Sequence, residues 1–135
     1  MSSIKKVIAR WGLAVFIATI PVSIAAQSGE ITVEAVLALG IQEREPVDTG
    51  SVFSADVGRV WLWTEVTGAE GQTFSHVWSH GENEWTVELR IGADHWRTWS
   101  NKAIPPEWTG EWKVEVRDAS GTLLRAVTFT VGSME

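Results

Sequence analysis

The chain has no cysteine among its 135 residues. Disulfides, thiolate metal sites, cysteine nucleophiles and thiol redox chemistry are therefore excluded together. Basic residues are scarce, with 11 Lys and Arg against 17 Asp and Glu and a formal charge of -6. Long apolar runs are missing too: the longest uncharged, mostly apolar stretch, Trp11 to Ala26, has 16 residues and carries Thr19, Pro21 and Ser23, whereas a membrane-crossing helix takes roughly 20. Ser79 and Ser100 have no Gly-x-Ser-x-Gly elbow around them, so neither reads as a nucleophile. No fixed-length repeat and no low-complexity tract interrupts the composition of an ordinary globular domain.

What is present begins with an export signal. Lys5, Lys6 and Arg10 form a positive n-region, the apolar stretch follows, and Ser23-Ile24-Ala25 places small side chains where a signal peptidase needs them. Cleavage is expected after Ala25, with Ala26 as the near alternative; a retained anchor is the competing reading of the same segment. The expected location is periplasmic or secreted, and contact with a membrane is expected only through this segment if it stays uncleaved. Lys5, Lys6 and Arg10 leave with it, so 8 Lys and Arg face all 17 Asp and Glu, a formal charge of about -9. That balance argues against nucleic acid as a partner, since affinity there comes from neutralising phosphates, and against adhesion to anionic lipid. Without disulfides a small exported domain depends on packing. Eight tryptophans beyond the signal, each able to bury on the order of 200 Å², supply it.

Period-two alternation runs through the rest. From Ile31 the odd positions to Ile41 are apolar, which reads as a strand, although Val36 and Ala38 break the pattern and leave a helix over 32–44 open. Residues 42–57 read as an irregular connection. Arg59 to Thr67 alternates Val60, Leu62, Thr64 and Val66 with Trp61, Trp63 and Glu65. Phe74–His80 and Glu84–Ile91 flank Gly81-Glu82-Asn83 as a hairpin. His95–Lys102 precedes Pro105-Pro106, which no central strand can contain, and Glu111–Asp118 turns at Ala119-Ser120-Gly121 into Thr122–Val131, where Leu123, Val127, Phe129 and Val131 share a face. About seven short strands punctuated by Gly and Pro predict an all-β, antiparallel, immunoglobulin-like β-sandwich after an N-terminal signal helix, with residues 26–135 as one folded unit. A small barrel is the alternative that the same periodicity allows.

Within Val60–Val131, His76-Val77-Trp78, then Trp96-Arg97-Thr98-Trp99-Ser100-Asn101-Lys102, then Gly110-Glu111-Trp112-Lys113-Val114-Glu115-Val116 with Asp118 to Gly121 and Phe129 follow one another in order. This succession resembles the DUF2914 family, a bacterial domain of unknown function. The resemblance implies a compact β domain at or beyond the membrane. It implies no activity, and no catalytic residues are carried over from it.

Three groups of residues carry candidate chemistry. His76, Trp78 and His80 share one strand face and His95, Arg97 and Trp99 another, so three histidines converge if those strands are neighbours. A metal needs its ligands within about 2 Å, and His76 and His80 stand roughly 13 Å apart on a strand, so no metal or other cofactor is expected. Arg97, Ser100 and Lys102, near Asp94, read either as an anion or sugar contact or as an ion pair with cation–π stacking on Trp78 or Trp99. Trp61 and Trp63 lie opposite the aliphatic row of their strand. Either that strand is covered on both faces, by residues 42–57 or the Asn101–Trp108 loop, or its indoles meet solvent.

The expected function is therefore an exported, non-catalytic binding or interaction domain that recognises an envelope protein or glycan through Trp61, Trp63, His76, Trp78, His80, Arg97, Trp99, Ser100 and Lys102. A purely structural envelope protein with core tryptophans is the alternative. An enzyme ranks third: a glycosidase needs two carboxylates about 5 to 9.5 Å apart, and Glu82, Glu84 and Asp94 read as turn and outer-face residues.

Overall fold

Residues 30–132 are described by the computed structural model. The expected signal segment, with the helix and the cleavage site read into it, lies outside the described residues. Nine strands follow: β1 (Thr32–Gln42), β2 (Glu45–Thr49), β3 (Val52–Phe53), β4 (Gly58–Thr67), β5 (Thr73–His80), β6 (Asn83–Arg90), β7 (His95–Ile104), β8 (Gly110–Arg117) and β9 (Leu123–Val131). They form a four-stranded sheet in the order β2-β1-β4-β7 and a five-stranded sheet in the order β3-β9-β8-β5-β6. All pairings are antiparallel except β3 with β9.

The alternation read from sequence becomes two inner faces. Val60, Leu62 and Val66 of β4 and Leu37 of β1 meet Phe74 and Trp78 of β5, Trp112, Val114 and Val116 of β8, and Phe129 and Val131 of β9 in one apolar core. Trp78 and Trp112 anchor it, each set edge-on or stacked against Phe129 at centroid distances of 6.1 and 5.8 Å. Arrangements of this kind suit the aromatic quadrupole.

Two local expectations are corrected. The stretch 42–57 is not an irregular connection, for it contains β2 and β3 and brings the strand total to nine. The cause is the turn between β1 and β2: Glu43 and Arg44 both adopt positive φ, 51° and 69°, the conformation of a tight two-residue hairpin that Gly or Asn ordinarily announces. The segment Thr32–Gln42 is a strand, and Val36 and Ala38 break its alternation because they pair with Trp63 and Trp61 on a face that is itself partly covered. Leu123 does not share the inner face, being 47% exposed. A register shift at Val116/Arg117 inserts one residue into β9, so Leu124 packs against the core instead.

Candidate functional site

The outer side of the four-stranded sheet holds Trp61 and Trp63 of β4 beside Arg97, Trp99 and Asn101 of β7. Trp61 is opposite Asn101, Trp63 opposite Trp99, and Glu65 opposite Arg97. Trp63 is 5% exposed, whereas Trp61 and Trp99 are half-buried. The difference lies in the β1–β2 hairpin, whose tip folds over this face. The Trp63 indole donates to the Arg44 carbonyl at 2.8 Å, and Glu45 pairs with Arg97. The Arg44 guanidinium lies 5.6 Å from the Trp99 ring and 5.7 Å from Trp96, and it donates to the Arg97 carbonyl at 3.3 Å. Thr64 donates to the Thr98 carbonyl at 2.7 Å, which directs that carbonyl toward β4 and the Arg97 carbonyl toward the free side of β7. Arg44 thus crosses the face and caps the sheet edge. Both alternatives for β4 hold at once: Trp63 is covered, and Trp61 keeps an open flank bordered by the hydrogen-bonded pair Arg59 and Asn101.

His76, Trp78 and Ser100 do not belong to that face. Trp78 is 0% and His76 1% exposed, on the inner side of β5, and Ser100 reaches them from the inner side of β7. Ser100 Oγ accepts from the Trp78 indole N–H at 3.0 Å. The same hydroxyl is hydrogen-bonded to Nδ1 of His76, 2.6 Å away. Burial lowers the His76 pKa to about 4. The ring is neutral, and the three side chains form a closed polar node between the sheets. A serine and a histidine at this distance resemble a nucleophile and its base, but the hydroxyl is already engaged on both sides and the imidazole is a weak base.

His80 and Lys102 lie at a third place, also inward, at one end of the sandwich. His80 donates from Nε2 to the Thr109 carbonyl at 2.9 Å and stacks against Trp112 and Trp108 at 4.6 and 5.4 Å. Lys102 sets its ammonium 4.1 Å from the Trp85 ring; burial, and then the charge of Arg59, hold its pKa below the usual lysine range. Trp85 and Trp108, both half-buried, are the aromatic residues of this cluster that the sequence reading left out of the site. Their signal was available in part, since Trp85 alternates with exposed Glu84 and Thr86. The expected single surface of nine residues is thus three separate sites, because Ser100 and Lys102 project from the opposite side of β7 to Arg97 and Trp99. Arg97 stacks on neither Trp78 nor Trp99; it pairs with Glu45, and Arg44 takes the cation–π role.

The three histidines do not converge: His95 pairs with Glu65 on the outer face, while His76 and His80 face inward from the other sheet. Among the described residues no group of three His, Asp or Glu is placed to hold a metal ion. A shallow hollow of about 280 Å³, lined by Ser79, Gly81, Glu111, Trp112, Lys113 and Thr128, opens on the outer side of the five-stranded sheet and contains none of the expected site residues. Glu111 is its one carboxylate. Glu82, Glu84 and Asp94 are exposed turn or outer-face residues.

No curated protein matches the chain. Among solved structures, a crystal structure of the Bifidobacterium adolescentis GH3 beta-glucosidase is similar at 13% identity and a TM-score of 0.33, over 76% of this chain and 17% of that one. The chain therefore spans less than a fifth of that protein's length. The family likeness begins later than Val60, at residue 71, so β4 lies outside it. Over residues 71–131, from the turn before β5 to the end of β9, the chain matches the family described as Protein of unknown function (DUF2914).

Proposed function

We propose that the chain is an exported, non-catalytic binding or interaction domain of the bacterial envelope, an immunoglobulin-like sandwich carried to the periplasm or beyond by the signal at its N-terminus. The observation that supports this most is the outer face of the four-stranded sheet, where the half-buried indoles of Trp61 and Trp99 flank one another across β4 and β7. Asn101, Arg59 and Arg97 border them with donors for a polar ligand. Aromatic faces ringed by hydrogen-bonding groups suit a sugar ring or a protein loop, and Trp and Arg are the residues that concentrate binding energy at such contacts. The non-catalytic part of the reading is supported by the engaged Ser100 hydroxyl and the scattered exposed carboxylates.

A second reading, a purely structural envelope protein, is favoured by one observation: Trp63, Trp78 and Trp112 are 5%, 0% and 1% exposed. Tryptophan fluorescence with a neutral quencher, repeated with a panel of envelope glycans and peptides, separates the two. A quenchable fraction that shifts with ligand and disappears in Trp61→Ala and Trp99→Ala supports binding at this face. Emission indifferent to every ligand, with both variants folded, leaves the structural role.

A further inference from the structure

Three of the four sheet edges are blunted. On β7, Arg44 caps the Arg97 carbonyl, and Lys102 is a charge pointing inward, a device that discourages strand addition. On the opposite side β2 has five residues and contains Pro46, β3 has two, and the chain seals the gap between the sheets as it passes from one to the other. There Gly50 N–H donates to the Leu37 carbonyl at 3.1 Å and Thr130 N–H to the Ser51 carbonyl at 2.9 Å.

The fourth edge, β6, has none of these devices. It is eight residues long without proline, and its register against β5 runs unbroken from Thr73↔Arg90 to His80↔Asn83. Ile91 N–H donates to the Gln72 carbonyl and Gly71 N–H to the Ile91 carbonyl, both at 2.8 Å, so the odd-numbered residues of this strand turn their backbone groups toward β5. By the alternation of an antiparallel ladder, Glu84, Thr86, Glu88 and Arg90 present N–H and C=O on the free side. Their side chains are exposed on the outer face, while Trp85, Val87 and Leu89 are half-buried on the inner one. Glu84, Glu88 and Arg90 take part in none of the ion pairs among the described residues.

We propose that β6 pairs antiparallel with β6 of a second copy of this chain about a two-fold axis through Val87. In that register Glu84 meets Arg90 of the second copy, and the reverse, in two equivalent ion pairs. Trp85 meets Leu89, Val87 meets Val87, and Thr86 and Glu88 exchange the central backbone hydrogen bonds. The strand sequence selects this register over its neighbours. Slips that keep each side chain on its own face place Glu84 opposite Glu88, or Glu88 opposite itself, and like charges directly opposed destabilise a strand pair; slips by one residue carry Trp85 and Val87 to the wrong face. The occupant is thus a second copy because the strand is complementary in charge and in apolar pattern to its own reverse.

The test uses the protein expressed as the full chain and purified, with its mass followed by sedimentation across a dilution series. Glu84→Arg alone and Arg90→Glu alone each set like charges opposite one another twice, and each is expected to weaken the dimer about tenfold. The double variant, with the charges exchanged, is expected to recover it. Val87→Cys provides an independent reading: the two-fold places it against itself at a non-hydrogen-bonded position, where Cα atoms stand about 4.5 Å apart, and no other cysteine exists to compete. Mild oxidation is expected to give a covalent dimer from Val87→Cys and not from Thr86→Cys. A chain that stays monomeric to roughly 0.1 mM, or a dimer indifferent to the charge reversals, or a double variant without recovery, overturns the proposal. The reversals lie at exposed positions, so they decide it even where a cysteine variant fails to fold.

Discussion

Ser100 stands at the end of two other polar side chains, and its hydroxyl serves both. Without it, the Trp78 N–H and His76 Nδ1 remain inside the sandwich with no partner among the described residues. Ser100→Ala is therefore expected to cost about 1–3 kcal/mol, the penalty of buried groups left unsatisfied, read as a lower urea midpoint at pH 7. The same node makes stability depend on acid. The unfolded chain takes a proton on His76 below about 6.5, whereas the folded chain holds its pKa near 4. The stabilisation is complete above 6.5 and is lost as pH falls from there toward 4, by roughly 3 kcal/mol at about 1.4 kcal/mol per unit. Unfolding free energies measured across that window should show the slope in the native chain and lose it in His76→Gln. The sequence spacing put His76 and Trp78 on one face, as they are. It did not place them opposite Ser100, since that contact joins two sheets whose order is not a local property.

The β1–β2 hairpin is the element on which the outer face depends. Its turn holds Glu43 and Arg44 at positive φ, a conformation that costs L-residues roughly 1 kcal/mol each. The tip holds it through the Trp63–Arg44 hydrogen bond, the stacking of Arg44 on Trp99 and the Glu45–Arg97 pair. Glu43→Asn, a better fit to the left-handed region, is expected to stabilise the domain by about 0.5–1 kcal/mol. Arg44→Ala is expected to destabilise it by about 1 kcal/mol and to speed amide exchange along β7, whose free edge it uncaps. Thermal or chemical denaturation measures the first pair of effects and hydrogen exchange the last. Strands β4, β6 and β8 were legible because each alternates cleanly; β2 was not, because Pro46 and Asp48 interrupt its pattern and its turn lacks the glycine or asparagine that signals a hairpin.

At the scale of the whole molecule, the packing keeps most large aromatics of the described residues inside and blunts three edges, leaving β6, among the described residues, as the one open to another strand. If that edge joins two copies, stability is coupled to concentration by mass action. A tenfold rise in protein should raise the thermal midpoint of the native chain, and raise that of Arg90→Glu by less. Composition and alternation were enough for an all-β domain without cysteine, for the positions of most strands and for the inner rows around Leu62, Trp112 and Phe129. These follow from the two-residue period of a strand and from the preference of apolar side chains for burial, both readable within a few residues. The division of the nine expected site residues into an outer face, a buried node and an end cluster was set by pairings between residues far apart in the chain. Trp63 is covered and Trp61 is not because Arg44 folds over one of them, and neither tryptophan's neighbours in sequence carry any trace of that contact.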